Sequence, residues 1–205
     1  MSHNFIQDAV FDAKSVSQLD RTVIDTHGVP GIVLMKRAGR AALDELLDTF
    51  GVPTSLTIFC GSGNNAGDGY IVAALAAAKN IPVQVVELST ALTEDASKAK
   101  QFAQQAEVSF VHFDKAMKLS PGVIVDGLLG TGFDGELRQT YRDAIQLIND
   151  SGMPVLALDI PSGLHADTGH IADVAVMADI TVTFIGAKQG LFSGQGPVAC
   201  GETIY

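Results

Sequence analysis

LTIFCGSGNNAGDGYIVAALAAA, residues 56–78, passes through three kinds of sequence in order. An apolar run, residues 56–60, meets a glycine-rich polar stretch, residues 61–69, and an alanine-rich apolar segment, residues 70–78, follows. That succession predicts strand, loop and helix. Gly61, Gly63, Gly67 and Gly69 allow a sharp turn and a close ligand approach. A helix starting there points free N–H groups back at the loop, so a phosphate- or nucleotide-bearing ligand is expected. The spacing G-x-G-x-x-x-G is one residue longer than the dinucleotide fingerprint, and there is no Walker lysine. Asn64, Asn65 and Asp68 supply acceptor oxygens instead. Each is also an ordinary turn or cap residue, but three within one four-glycine loop point to a site.

A length of 205 residues suits one domain, residues 1–205, with a substantial core. A hydrophobic content of 47% argues against general disorder. The net charge of −10 argues against nucleic-acid binding, which needs clustered Lys and Arg. Two cysteines, Cys60 and Cys200, make neither a disulfide framework nor a zinc pattern. The polar N-terminal segment, residues 1–14, is unlike a targeting peptide. No run of about 18 apolar residues suggests a membrane span. A soluble, cytoplasmic protein is the expectation.

Outward from residues 56–78, elements alternate. Two helices should come first, residues 15–26 and 32–49, split by Gly28-Val29-Pro30-Gly31 and packing outside the core sheet. The first would carry Val16, Leu19, Val23 and Ile24 on one face, with Ser15 as cap. The second carries Val33, Leu34, Ala38, Ala41, Ala42 and Leu46 as an apolar stripe, which faces the core or a dimer partner. Further strands are expected at residues 83–88, 108–112, 122–126, 155–158 and 180–184, with helices at 94–105 and 136–149. Strands rich in Val, Ile and Leu that alternate with helices imply a mostly parallel sheet covered on both faces.

Ligands in such folds collect at the carboxyl ends of the strands. Three polar motifs fall there: residues 61–69, residues 126–133 (DGLLGTGF) and residues 159–163 (DIPSG). Asp126 and Asp159 each directly follow an apolar strand, a placement that suits acid–base work, although Asp126 also reads as a turn cap. Asn65, Asp126 and Ser162 form an oxygen-rich set suited to a weakly held monovalent cation.

With these motifs in hand, the chain resembles the YjeF N-terminal domain, the NAD(P)H-hydrate epimerases. The matching segments are GVPG with Leu34-Met35 and Ala38-Gly39, then GSGNNAGDGYIVAALA, VDGLLGTGFDG, LDIPSGLHADTG and TVTFIGAKQGL. They cover most of the chain in the family's order. The resemblance implies a Rossmann-like three-layer α/β/α sandwich, a homodimer and isomerisation at C6 of hydrated NADH or NADPH (NADHX, NADPHX) with one bound K+. It places substrate contacts at Asn64, Asn65, Ala66, Gly67 and Asp68, and at Gly130, Thr131, Gly132, Phe133, Asp134, Gly135 and Glu136. Asp159 matches the substrate-contacting acid and is expected to be catalytic; Asn65, Asp126 and Ser162 match the potassium positions. It also implies work alongside an ADP- or ATP-dependent NAD(P)HX dehydratase, fused or separate. Two departures are Ala66, where the family often has Gly, and Lys36-Arg37, where it often has Glu-Asn. The chain stops at residues 201–205, where relatives continue.

Several residues carry alternative readings. Lys188 neutralises a ligand phosphate or sits in solvent. Tyr141 packs or touches ligand; His165 and His170 read as loop residues. Glu87 is placed for a ribose contact if the chain were a redox dehydrogenase instead, a reading the glycine spacing disfavours. A non-catalytic nucleotide- or partner-binding module of the same fold is the other alternative.

Overall fold

The structure is a computed structural model that describes residues 10–205. Most of the N-terminal segment read above therefore lies outside the described residues. The central sheet is built from β2 (Leu56–Cys60), β3 (Val83–Glu87), β4 (Ser109–His112), β5 (Val123–Gly127), β6 (Val155–Leu158), β7 (Ile180–Val182) and β9 (Glu202–Ile204). Its order is β4-β3-β2-β5-β6-β7-β9, and every pairing is parallel. The chain runs outward from β2 to β4, then returns to the other side of β2 with β5. That reversal is a topological switch point, where parallel sheets open a crevice at the carboxyl ends of their strands.

Successive strand residues point to opposite faces, and both faces are covered. Ile58, Val85, Val125, Leu156 and Leu158 pack under α2 (Gly31–Phe50), α3 (Asn64–Ala78) and α4 (Glu94–Gln105). Phe59, Val86, Ile124, Val155 and Ala157 pack under Tyr141, Ile145 and Ile148 of α5 (Gln139–Asp150). This is the three-layer arrangement the alternation predicts.

Differences from the sequence reading have local causes. The helix after β2 begins at Asn64, not Tyr70, because Gly63 in an extended conformation forms its N-cap. Residues 64–69 are therefore helical rather than part of a loop. α1 (Ala13–His27) is capped by Asp12, whose carboxylate accepts from Ser15 N, so Ser15 is not the cap. Leu19 is exposed; among the residues expected on its apolar face only Val16 is buried. α2 belongs to the helical layer itself and buries Met35, Gly39, Ala42, Leu43 and Leu46. Its Leu34, Ala38 and Ala41 instead wall a cavity. Short elements without periodicity were not legible: β9, the two-stranded β1 (Val10–Phe11) with β8 (Ala187–Lys188), α6 (Gln189–Phe192) and α7 (Gly196–Ala199).

Candidate functional site

A cavity of about 920 Å³ opens over the carboxyl ends of β2, β5, β6 and β7. Its floor comes from Ser62 and Gly63 after β2, residues 128–134 after β5, Asp159 after β6 and residues 183–185 after β7. The apolar wall is Val16 and Ile24 of α1 with Leu34 and Ala38 of α2. Registry explains the convergence: Cys60 pairs with Gly127, and Asp126 with Ala157, so these loops leave the sheet side by side. A Cβ at Gly61 would run into the Leu128 carbonyl, which is why the first two loops approach so closely. The first turn of α3 aims its free N–H groups at this space with no side-chain cap across them, an arrangement that favours an anion.

Beneath the floor lies a polar lattice. Asp126 is fully buried. Its Oδ1 accepts from Ser162 Oγ at 2.6 Å and Leu128 N at 3.1 Å, and its Oδ2 from Ser162 N at 2.8 Å. Burial pushes its carboxyl up to about 6, against the pull of those hydrogen bonds. Asp126 does not line the cavity, so the acid–base role its strand-end position suggested is not available to it; its Oδ1 caps the turn as the alternative reading had it. Ser162 Oγ accepts from Leu129 N at 2.9 Å, and Asn65 Nδ2 donates to Leu129 O at 2.8 Å. Asn65 Oδ1 is buried without a hydrogen-bond partner among the described residues. An orphaned buried carbonyl costs about 1–3 kcal/mol, and a cation would relieve it. The donors gathered here are amide, hydroxyl and carboxylate oxygens, the chemistry of a hard cation. Among the described residues no three His, Cys, Asp or Glu side chains gather as a metal cluster.

Asp159 enters the cavity from a left-handed backbone, φ 65°. Its Oδ1 accepts from Lys188 Nζ and, at 3.3 Å, from Phe184 N. Lys188 is fully buried, so the solvated reading of this residue is wrong. Its Nζ also donates to Thr183 Oγ1 at 2.9 Å and Phe184 O at 2.8 Å. Asp68 lines the same cavity. Burial, then the Asp159 and Asp20 carboxylates, push its carboxyl well above the usual range, with Lys188 pulling the other way. Asp20 on the α1 wall is raised too, by burial and then by Asp159 and Asp95.

Asn64, Asn65, Asp68, Gly130, Thr131, Gly132, Phe133, Asp134, Glu136 and Asp159 all line the cavity. Ala66, Gly67 and Gly135 do not. Ala66 is helical and buried, so its methyl group needs no left-handed backbone. Gly67 faces α2 and α4: a Cβ there would collide with Met35 Sδ and come within 3.1 Å of Ala96 Cα. It is a helix-packing glycine. Tyr141 packs in the α5 core cluster and also lines the cavity. His165 is a loop residue, its Nδ1 accepting from Asp167 N and Thr168 N. Glu87 is not free for a ribose, because Tyr70 Oη donates to it at 2.6 Å and Lys100 Nζ at 2.9 Å, both away from the cavity. Thr93, Asp95, Thr183, Ile185 and Tyr205 line the cavity without having been expected to. No periodicity marks them; a lysine set between Gly-Ala and Gln-Gly after a strand was the one signal for Lys188.

Residues 31–190 match the family described as YjeF-related protein N-terminus. The chain belongs to that family. It is 36% identical over 197 residues to the bifunctional NAD(P)H-hydrate repair enzyme Nnr of Coxiella burnetii, covering 95% of this chain and 40% of that protein. It is 34% identical over 203 residues to the NAD(P)H-hydrate epimerase of Limosilactobacillus reuteri, covering 96% of this chain and 94% of that protein. The chain thus spans about two fifths of the bifunctional relative it matches. The crystal structure of yeast ynu0 has the same fold, with a TM-score of 0.79 at 19% identity over 89% of this chain and 82% of that one. Among the described residues, no helix is long and apolar enough to cross a membrane.

Proposed function

We propose that the chain epimerises hydrated NADH and NADPH at C6 of the nicotinamide ring, as a single domain acting in nicotinamide nucleotide repair. The observation that carries this reading is Asp159, a strand-end carboxylate set on the floor of a cavity large enough for a dinucleotide. Two relatives named for NAD(P)H-hydrate repair support it. At C6 the substrate bears a hydroxyl beside the ring nitrogen. Asp159 takes a proton from solvent in the open cavity and passes it to the hydroxyl, which departs as water while the nitrogen lone pair forms a C6=N bond, and Asp159 is again a carboxylate. Water then adds to the opposite face and returns one proton to the solvent. Protons and electrons balance to zero, as an isomerisation requires. The diphosphate lies on the uncapped N-terminus of α3, at Asn64 and Asn65, next to the loop at Gly130, Thr131 and Gly132.

The residues present fit one K+. Asn65 Oδ1 is its best-supported ligand, since that carbonyl is otherwise orphaned; Ser162 Oγ and Asp126 complete the side-chain set. When bound, the ion supplies positive charge beside the substrate loops. The chain's own residues hold those loops: Ser162 ties Asp126 to Leu129, and Asn65 ties α3 to Leu129. A homodimer, a cytoplasmic location and an NAD(P)HX dehydratase as functional partner belong to the same proposal.

The test uses pure R-epimer of hydrated NADH in potassium buffer, with a dehydratase that consumes only the S-epimer as reporter. Complete consumption well above the spontaneous rate is expected. Conversion no faster than the blank would refute the reading and favour a binding module.

A further inference from the structure

Lys188 is the second residue of β8, and its backbone is held by the pairing of Phe11 with Lys188 between β1 and β8. Its side chain has 0% exposure. An ammonium has three donors. All three are used, on Asp159 Oδ1, Thr183 Oγ1 and Phe184 O. Lys188 therefore has no donor left for a ligand phosphate and does not line the cavity. On the other side of the pair, Oδ1 of Asp159 takes Lys188 Nζ, Phe184 N at 3.3 Å and the Thr183 hydroxyl at 3.5 Å. Oδ2 accepts no hydrogen bond among the described residues. The left-handed backbone of Asp159, φ 65°, persists only where the surroundings over-determine it. The bond from Asp159 N to Val182 O, at 2.8 Å, and the three contacts at Oδ1 are what does so.

We infer that Lys188 is a positioning residue, whose ammonium saturates Oδ1 of Asp159 and leaves Oδ2 as the oxygen that exchanges a proton with the substrate. The inference rests on the epimerase reading above. One proton moves between Oδ2 and the C6 oxygen, and no electrons are transferred. Without the ammonium the carboxylate is free to turn. A reacting group displaced by about 1 Å costs on the order of 100-fold in rate.

The experiment compares wild type, Lys188→Ala, Lys188→Met and Thr183→Val on the R-epimer. Lys188→Ala is expected to lose roughly 100-fold in kcat, with KM within about twofold of wild type. Propylammonium should restore roughly tenfold of that loss by entering the vacated space and donating to Oδ1. Tetramethylammonium, which has no N–H, should restore nothing, and Lys188→Met, whose side chain fills the space, should not respond to either. Thr183→Val, which removes one acceptor fixing the ammonium, should show a smaller loss confined to kcat. Three results would overturn the inference: unchanged kcat in Lys188→Ala, a raised KM at unchanged kcat, or a loss that propylammonium does not reverse. Should Lys188→Ala not fold, an unaffected Thr183→Val overturns it equally. Wild type that converts no substrate sinks the epimerase reading instead. Positioning is then judged from a crystal structure of Lys188→Met: a carboxylate that has left Phe184 N supports it, and one unmoved overturns it.

Discussion

Replacing Asp159 should damage the fold as well as the reaction. Lys188 is fully buried, and Asp159 is the carboxylate that its ammonium contacts. Asp159→Ala leaves the neutral acceptors Thr183 Oγ1 and Phe184 O but an uncompensated buried charge. Breaking a buried pair from one side costs about 3–5 kcal/mol. Since Asp159 is itself 17% exposed, the lower end, about 3 kcal/mol, applies. The crowding of Cβ at φ 65° is common to aspartate and alanine and cancels. A loss of about 3 kcal/mol is a large part of a typical stability of about 5–15 kcal/mol. In a chain of 205 residues it lowers Tm by roughly 6–12 °C. Urea unfolding followed by far-UV circular dichroism measures it, with a second probe to check that the transition is two-state. Adding Lys188→Met to Asp159→Ala removes the stranded charge and should return about 2–3 kcal/mol. A loss below about 1 kcal/mol for Asp159→Ala, or a double variant less stable than the single, refutes the reasoning.

Three further outcomes are expected. Potassium chloride should raise the unfolding free energy of wild type over tetramethylammonium chloride, by about 1.4 kcal/mol at ten times the Kd, and Asn65→Leu should abolish the difference; a salt response unchanged in Asn65→Leu removes that residue from the proposed ion site. Asp68 has a raised carboxyl pKa in the folded state, from burial and then from Asp159 and Asp20, so the folded state holds its proton more tightly than the unfolded chain. Its penalty is absent below the ordinary carboxylate range and grows as pH rises toward the raised value, so the Tm advantage of Asp68→Asn should widen with pH; a flat difference contradicts this. Gly67→Ala gains about 1 kcal/mol of helix propensity but overpacks against Met35 and Ala96, at about 1–3 kcal/mol. A net loss in urea that Met35→Ala relieves is expected, with KM unchanged; a raised KM would return Gly67 to the ligand site.

Much of the fold was legible in residue order. Apolar runs such as VIV, residues 123–125, and VLAL, residues 155–158, are short and unbroken, as strands covered on both faces must be. Turn chemistry at their ends placed three motifs on one edge, and ten of the substrate contacts that the resemblance implies line one cavity. Periodicity and turn preference are properties of neighbouring residues, so a one-dimensional reading reaches them. What a charge or a glycine faces is not such a property. Lys188 looks solvated until the β1–β8 pairing, Thr183 and Phe184 hold it beside Asp159, 29 residues away in the chain. Glu87 looks free until Tyr70 and Lys100 close on it, and Gly67 looks like a ligand loop until Met35 arrives from α2. Residues 202–204 have too few side chains to show a period and become a strand only because β7 offers them an edge. Local geometry is encoded where it is read. The desolvation and pairing of charges depend on groups brought together from distant parts of the chain, and tertiary packing alone decides them.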